Sequence, residues 1–270
     1  MIPADLLVHV PGCGDGRPPR AVQVLPGGFG RNEVLRVDTA DGRFVWRRRL
    51  DVLDRPGALA LTELTAHRLA AEAHLAPAII AAAPDGRWIL MDYIDAPPWR
   101  EDELYSPGGI QRLGRQLALL HALVIPDALP TADALGMARG YLARIEARDP
   151  AAAAAREPLL ARLQSLSIEL EAAGQRRVLV HGDLMVSNLL GPQPRMVDWE
   201  YAQAADPTWD CACLLSYYPF LKPRLPLLLA SAGLDVAADG PRFALQQERF
   251  VLLNRLWGEA YPPPGRAPAG

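Results

Sequence analysis

The stretch that decides the fold is VLVHGDLMVSNLL, residues 178–190, which is followed by MVDWE at residues 196–200. Two short apolar runs enclose a polar loop, so the pattern predicts a turn between buried strands. Asp183 and Asn188 are five residues apart in this loop, and Asp198 lies ten residues beyond Asn188, across a predicted hairpin. Phosphoryl transfer from a nucleotide requires a carboxylate beside the attacking hydroxyl and oxygen ligands for Mg²⁺. One loop and one strand end can supply both.

Short apolar runs separated by turn residues dominate the chain before this loop. AVQVL (21–25), EVLRV (33–37) and FVWRR (44–48) predict three antiparallel strands, joined by the glycine-rich GGFGRN and by an Asp-Gly turn. A helix is predicted from about Leu61 to His74, and WILMDYI (88–94) predicts a further buried strand. These elements predict a small first lobe over residues 1–94.

Helical periodicity replaces the strand pattern after residue 95. It predicts helices from residue 110, over 132–148 and 156–173, and at about 222–232 and 242–258. The only β-like interruption is the segment around the polar loop. The sequence therefore predicts an α+β, bilobal chain whose second lobe, residues 95–270, is mostly helical.

The composition is that of an ordinary globular protein. Of its 270 residues 50% are hydrophobic and 22% charged, with a formal net charge of −3, so neither nucleic acid nor an anionic membrane is an expected partner. The three cysteines form no zinc pattern and are expected to be free thiols in a cytoplasmic protein. No signal peptide is predicted, and the apolar run at 220–234 is broken by two prolines and cannot span a bilayer.

The loop and the strand that follows it resemble the aminoglycoside phosphotransferase and choline kinase superfamily, small-molecule kinases that share the protein-kinase architecture. HGDLMVSNLL and VDWE match the kinase pattern HxDxxxxN followed by a metal-binding Asp, with Gly182 in place of the usual Arg. The resemblance implies that Asp183 is the catalytic base and that His181 braces the loop. It implies that Asn188 and Asp198 bind Mg²⁺ and that ATP is the phosphoryl donor.

The resemblance runs from about residue 22 to about residue 215 and assigns roles in the first lobe too. Backbone amides near Gly27, Gly28 and Gly30 would approach the phosphates, because glycine has no side chain to block them. Arg47 falls where protein kinases place their phosphate-anchoring lysine. Since side chains alternate along a strand, Arg47 shares one face with Val45.

Three further supporting roles are implied by the same resemblance. Glu63, on the predicted helix, would pair with the anchoring arginine, with Glu72 as the alternative. The hinge, Met91 to Ile94 and including Tyr93, would hydrogen-bond the adenine edge. Asp210, in ADPTWD, would hold the backbone of the catalytic loop.

The acceptor is predicted to be a small alcohol. Only eleven residues separate Asp198 from Asp210, too few for the segment with which protein kinases dock a peptide. DWEYAQAADPTWD is similar to bacterial choline kinases and to thiamine kinase, and aromatic faces with one carboxylate can hold a quaternary ammonium group. The downstream candidates for this role are Tyr217, Trp257, Glu259 and Tyr261.

Two alternatives stay open at this point. One is an aminoglycoside or sugar kinase of the same fold, although neutralising a polycation calls for more carboxylates than this C-terminal part contains. The other is a catalytically silent, pseudokinase-like module that binds nucleotide without transferring a phosphoryl group. The sequence leaves the acceptor, the choice of ATP or GTP, and the oligomeric state undetermined.

Overall fold

The first part of the chain forms an antiparallel sheet. In a computed structural model of the protein, the structure describes residues 7–13, 17–26, 32–50 and 59–262. The strands run in the order β1-β2-β3-β5-β4, and every neighbouring pair is antiparallel. Their bounds are Ala21–Val24 (β1), Asn32–Asp38 (β2), Arg43–Arg49 (β3), Ile79–Ala82 (β4) and Trp88–Asp92 (β5).

The two faces of β3 serve different purposes. Phe44 and Trp46 point to one face, where they join a small core with Leu35 and Val37 of β2. Val45 and Arg47 point to the opposite face, as the alternation of side chains along a strand requires. A helix covers that face, so Arg47 is buried between the sheet and this helix.

The covering helix is α1 (Ala60–Glu72), close to the helix predicted at 61–74. It ends just before His74, whose φ of 60° is left-handed and cannot continue a helix. Glu63 lies on its buried side with 1% of its surface exposed, whereas Glu72 is exposed at its last position. Of the two predicted carboxylates, only Glu63 faces the sheet.

The second part of the chain is mostly helical. Its helices are α2 (Glu101–Tyr105), α3 (Pro107–His121), α4 (Ala134–Glu146), α5 (Pro150–Ala154), α6 (Glu157–Ala172), α7 (Thr208–Tyr217), α8 (Leu225–Ser231) and α9 (Val236–Ala260). The strands between α6 and α7 are β6 (Val178–Val180), β7 (Leu189–Leu190), β8 (Arg195–Met196) and β9 (Gln203–Ala205). β6 pairs with β9 and β7 with β8, which makes the small platform that carries the polar loop.

The large core lies among these helices, and α3 shows why its sequence is helical. The Ser106 hydroxyl accepts a hydrogen bond from the Gly109 amide at 3.0 Å, and Pro107 occupies the first helical position, which are both helix-starting signals. Its buried side chains, Ile110, Leu113, Leu117 and Leu120, recur at intervals of three and four residues. They form one apolar stripe that packs into the core.

The predicted α+β, bilobal architecture is confirmed, with differences in detail. The apolar run at 220–234 forms a 3₁₀ helix (Pro219–Arg224) followed by α8. Strands β4 and β9 and helix α7 were not predicted. All three cysteines are free and buried. Within the described ranges, no helix is both long and apolar enough to cross a membrane.

Two leucines of α3 test the assignment of its buried face. Leu117 is fully buried, whereas Leu119, two residues later, is 56% exposed. Leu117→Ala should lower the free energy of unfolding by about 2–5 kcal/mol, because it leaves a cavity in the core. Leu119→Ala, the matched control, should change it by less than about 0.5 kcal/mol. Urea unfolding of the two variants measures this, and equal losses would contradict the orientation of α3.

Candidate active site

The polar loop between β6 and β7 is held by its backbone. Asp210, fully buried on α7, accepts a hydrogen bond from the His181 amide at 3.1 Å and from the Gly182 amide at 3.0 Å. His121 adds a third contact, from its Nε2 to Oδ2 of Asp210 at 3.1 Å. Buried amides without partners would be costly, so this carboxylate fixes the start of the loop. These contacts lie where the supporting role was predicted for Asp210.

The His181 side chain joins the loop to the strand that follows. Its Nε2 lies 3.0 Å from the Val197 carbonyl oxygen, and the Asp183 amide lies 3.3 Å from its Nδ1. A carbonyl can only accept and an amide N–H can only donate, so the ring is neutral with its proton on Nε2. Burial lowers the pKa of His181, which keeps that form at neutral pH. Both ring nitrogens of His181 therefore contact backbone groups, and His181 is not among the described residues that line the cavity.

Gly182 has the left-handed φ of 80°. A Cβ at this position would lie 2.4 Å from the carbonyl oxygen of Tyr201. Only glycine allows the loop to pass so close to that backbone. This explains why a larger residue cannot stand between His181 and Asp183 here.

Asp183 faces the cavity with both carboxylate oxygens in contact with neighbours. The Tyr217 hydroxyl donates to its Oδ1 at 2.9 Å, and the Asn188 amide lies 3.5 Å from its Oδ2. Burial, and then the nearby carboxylates of Asp198 and Glu200, raise the pKa of Asp183 to about 7, against the opposing effect of the two hydrogen bonds. A carboxylate with this pKa can gain or lose a proton near neutral pH.

Asn188 and Asp198, the predicted metal ligands, lie on neighbouring segments and both line the cavity. The Val197 amide donates to the Asn188 backbone carbonyl at 2.9 Å, and the Asn188 side-chain Nδ2 donates to the Asp183 carbonyl at 3.0 Å. That second bond leaves Oδ1 of Asn188 as the oxygen available to a ligand. Asp198 has a left-handed φ of 65°, which aspartate tolerates better than most residues.

Arg47 lies between carboxylates from both parts of the chain. Its Nη2 is 2.8 Å from Oδ1 of Asp198 and 3.8 Å from Oε2 of Glu200, and its Nη1 pairs with Glu63. Arg49 adds a weaker contact, with its Nη1 3.6 Å from Oε2 of Glu63. The planar guanidinium group spreads five N–H donors over three nitrogens, so it can bridge carboxylates that are further apart than one ammonium nitrogen can reach.

The acidic surplus at this point suits a divalent cation. Asp183, Asp198 and Glu200 lie close together, while Glu63 already pairs with Arg47. Among the described residues, no group of three or more His, Cys, Asp or Glu side chains is arranged to hold a metal ion. Mg²⁺ usually takes one or two protein oxygens and completes its shell with phosphate oxygens and water. Asn188 and Asp198 fit that requirement.

A cavity of about 920 Å³ lies between the sheet and the helices, and its lining includes Arg47, Asp183, Asn188, Asp198 and Glu200. The predicted hinge residues Met91 and Tyr93 line it, together with Val45 on β3. The Tyr93 amide is bonded to the Arg43 carbonyl at 3.1 Å, which fixes the chain as it leaves β5. Gly27, Gly28 and Gly30 lie outside the described residues.

The four predicted acceptor contacts divide into two groups. Tyr217 and Trp257 line the cavity. Glu259 instead pairs with Arg156 at 2.8 Å and with Arg255 at 3.3 Å, from Oε2 and Oε1 to their Nε atoms. It lies two positions beyond Trp257 on α9, so its side chain leaves the helix on another face.

Tyr261 also lies away from the cavity. It follows the last residue of α9, and its ring packs on Trp257 at 5.6 Å and against Tyr141 at 6.2 Å between centroids. It is absent from the described residues that line the cavity, as is Glu259. The structure therefore does not bring either residue to the predicted acceptor site, and we do not retain that role for them.

Three contacts of the loop were not predicted from the sequence. His121 reaches Asp210, the Cys213 sulfur accepts from the Leu184 amide at 3.2 Å, and the Tyr218 hydroxyl accepts from the Val186 amide at 2.9 Å. Cys213 lies three residues beyond Asp210, so a helix predicted there would have pointed to it, whereas nothing in the sequence marks His121 or Tyr218 as such a contact.

Gly182→Ala should destabilise the protein more than the same change at a glycine with free space. Gly174 has a similar φ of 74° but no atom within 4 Å of an added Cβ. Both variants should lose about 1–2 kcal/mol because alanine disfavours the left-handed region. Gly182→Ala should lose a further ~1–3 kcal/mol because it overlaps the Tyr201 carbonyl. Urea unfolding tests this, and equal losses would mean that the close approach does not exist.

The sequence and the fold were compared with known proteins. The profile described as a phosphotransferase enzyme family matches residues 21–245. No curated protein sequence matches this chain.

Solved structures share the fold at low identity. The chain is similar to a choline/ethanolamine kinase family protein from Mesorhizobium loti, with a TM-score of 0.72 and 23% identity over 94% of this chain and 83% of that chain. It is also similar to the choline kinase LicA from Streptococcus pneumoniae, with a TM-score of 0.73 and 18% identity over 93% and 88%. A spectinomycin phosphotransferase, APH(9)-Ia, has a TM-score of 0.58 and 14% identity over 92% and 86%.

The family match covers most of the chain and includes Arg47, the loop at 181–188 and Asp198. The protein-kinase-like architecture implied by the motifs is confirmed by these structures. The chain belongs to the phosphotransferase enzyme family.

Proposed function

We propose that this chain transfers the γ-phosphoryl group of ATP to the hydroxyl of a small alcohol, choline- or ethanolamine-like or thiamine-like. One observation carries the proposal: Asp183, Asn188, Asp198 and Arg47 all line a single cavity. A base, two oxygen ligands and a phosphate-binding cation are the parts that phosphoryl transfer needs from a protein. A module that only binds nucleotide would not need Asp183 in this position.

Asp183 accepts the proton of the acceptor hydroxyl. As that O–H bond breaks, the hydroxyl oxygen forms a bond to the γ-phosphorus, the bond from the γ-phosphorus to the β,γ-bridging oxygen breaks, and ADP leaves. The raised pKa of Asp183, about 7, suits a base that works near neutral pH. Because Asp183 is held on a braced loop, its oxygen is oriented before the substrate arrives.

Asn188 and Asp198 would hold Mg²⁺ through Oδ1 and a carboxylate oxygen. The ion would neutralise charge on the phosphate oxygens. Arg47, which contacts Asp198, would bind the same phosphates. Glu63 keeps the guanidinium group in place from the buried side of α1.

The first lobe, residues 1–94, would bind the nucleotide. Met91 and Tyr93 line the cavity beside β3, where an adenine ring would lie between the sheet and the hinge. Their backbone groups would supply the polar contacts. The role proposed for Gly27, Gly28 and Gly30 rests on the sequence; Pro26 and Asn32, the described residues on either side of them, line the cavity.

The wall of the cavity that helices α4, α7 and α9 form is uncharged in its described residues. An uncharged wall supports a choline- or thiamine-like acceptor over an aminoglycoside. Helices α4, α7 and α9 contribute aromatic, aliphatic and amide side chains to it, and none of their described lining residues is charged. These side chains are Met137, Tyr141, Trp209, Tyr217, Phe250, Leu253, Asn254 and Trp257. A polycation would lack carboxylate partners here, whereas one methylated or ring-borne charge can rest on aromatic faces.

Phosphoryl transfer should be detected with a panel of choline, ethanolamine, thiamine, amino sugars and aminoglycosides, each with Mg²⁺ and either ATP or GTP. We expect transfer to a monocationic alcohol, measured as nucleoside diphosphate release and phosphate ester formation. Asp183→Ala should lower kcat roughly 10²- to 10⁴-fold. Asp102→Ala, an exposed carboxylate on α2, should leave kcat unchanged. Nucleotide binding without turnover on any acceptor would contradict the proposal.

Arg47→Lys should weaken nucleotide binding although it keeps the positive charge. An ammonium group cannot contact Glu63 and Asp198 together as the guanidinium group does, so we expect KM for ATP to rise about 10-fold. The matched control is Arg48→Lys, whose side chain is 41% exposed and pairs with Glu33 on the other face of β3. Equal KM values for the two variants would remove the phosphate-anchoring role of Arg47.

A further inference from the structure

One face of helix α7 contacts the polar loop between β6 and β7. Asp210, Cys213 and Tyr217 are spaced by three and four residues, so their side chains project from the same side. The first two contact loop backbone, through the His181 and Gly182 amides and the Leu184 amide. Tyr217 is different, because its contact is with a side chain.

That side chain is the carboxylate of Asp183. The Tyr217 hydroxyl donates to Oδ1 at 2.9 Å, a normal hydrogen-bond length. The Asn188 Nδ2 atom is 3.5 Å from Oδ2, at the limit of a hydrogen bond, and makes its shorter bond of 3.0 Å to the Asp183 backbone. Tyr217 is therefore the group that fixes the rotation of the carboxylate.

The tyrosine itself is held in place. Its ring meets Phe250 of α9 edge-on at 6.0 Å and Tyr218 edge-on at 6.4 Å between centroids. Burial raises the pKa of Tyr217 far above its ordinary value, so the hydroxyl keeps its proton and acts as a donor towards Asp183. A rigid donor on a packed ring can hold a carboxylate in one rotamer.

We propose that Tyr217 is a positioning residue for phosphoryl transfer. Its hydroxyl binds Oδ1 of Asp183 and leaves Oδ2 to receive the proton of the acceptor hydroxyl. The proposal rests on the proposed function, since it concerns the base of that reaction. It revises the role predicted for Tyr217 from the sequence, which was contact with the acceptor.

A positioning role and an acceptor-binding role predict different kinetics. If a variant loses the group that positions the base, kcat falls. If it loses an acceptor contact made equally in the ground and transition states, KM alone rises. Tyr217→Phe keeps the ring and its packing and removes only the hydroxyl. We expect kcat to fall about 10- to 100-fold, as for a hydrogen bond to a charged group, with KM for the acceptor within about 3-fold.

The decisive arm combines this change with Asp183→Ala. If Tyr217 acts through the carboxylate, Tyr217→Phe should cause no further loss of kcat in the Asp183→Ala background. The comparison variant is Tyr105→Phe, which removes the hydroxyl of a half-exposed tyrosine on α2 that is not among the described residues lining the cavity. It should leave kcat within about 2-fold of the parent value in both backgrounds. Equal losses for Tyr217→Phe in both backgrounds, or a rise in KM alone, would overturn the proposal.

A second measurement does not depend on activity. Replacing the seven tyrosines with 3-fluorotyrosine gives fluorine NMR signals, and the one lost in Tyr217→Phe belongs to Tyr217. That signal should shift in Asp183→Ala, and an unchanged signal would overturn the hydrogen bond. If the wild-type protein phosphorylates no acceptor but the signal shifts, the contact stands and the proposed function fails.

Discussion

The bridging position of Arg47 is the constraint on which the site depends. Glu63 is almost fully buried under the sheet, so it requires a cation, and Arg47 on β3 is its nearer cation, with Arg49 at 3.6 Å. The same guanidinium group reaches Asp198, 151 residues further along the chain. Removing one partner of a buried ion pair leaves an uncompensated charge, which is strongly destabilising. The pairing therefore ties the sheet, α1 and the strand after the polar loop into one arrangement with the cavity between them.

The polar loop between β6 and β7 is subject to a related constraint, which is that buried polar groups need hydrogen-bond partners. Its amides are satisfied by Asp210, the Cys213 sulfur and the Tyr218 hydroxyl, all on or next to α7. Both ring nitrogens of His181 form hydrogen bonds with backbone groups. Because these contacts fix the backbone, the carboxylate of Asp183 is held in the cavity beside Asp198, and its raised pKa follows from that burial and that neighbour. The contacts that provide the loop with hydrogen-bond partners therefore also place Asp183 where its pKa is raised.

The sequence predicted those features that depend on short-range patterns. Alternation along β3 put Arg47 on the face opposite Trp46, and the loop motif located Asp183, Asn188 and Asp198. It did not predict α7, because CACLLSY is apolar on all sides and has no polar face to reveal a helical period. Strand β4 was hidden by its alanines, which favour no strand. The acceptor contacts of Glu259 and Tyr261 were not retained, because the sequence alone did not show which face of α9 meets the cavity.

The proposed function requires Asn188 and Asp198 to form one site for a divalent ion and a nucleotide. Mn²⁺ in place of Mg²⁺ tests it directly, because its effect on the relaxation of water protons reports the protein–Mn²⁺–ADP complex. We expect a strong enhancement with the wild-type protein and at least a ~10-fold weaker affinity for Mn²⁺–ADP in Asp198→Asn and Asn188→Ala, with both variants folded. Unchanged affinity for Mn²⁺–ADP in both variants would show that these two side chains do not bind the ion.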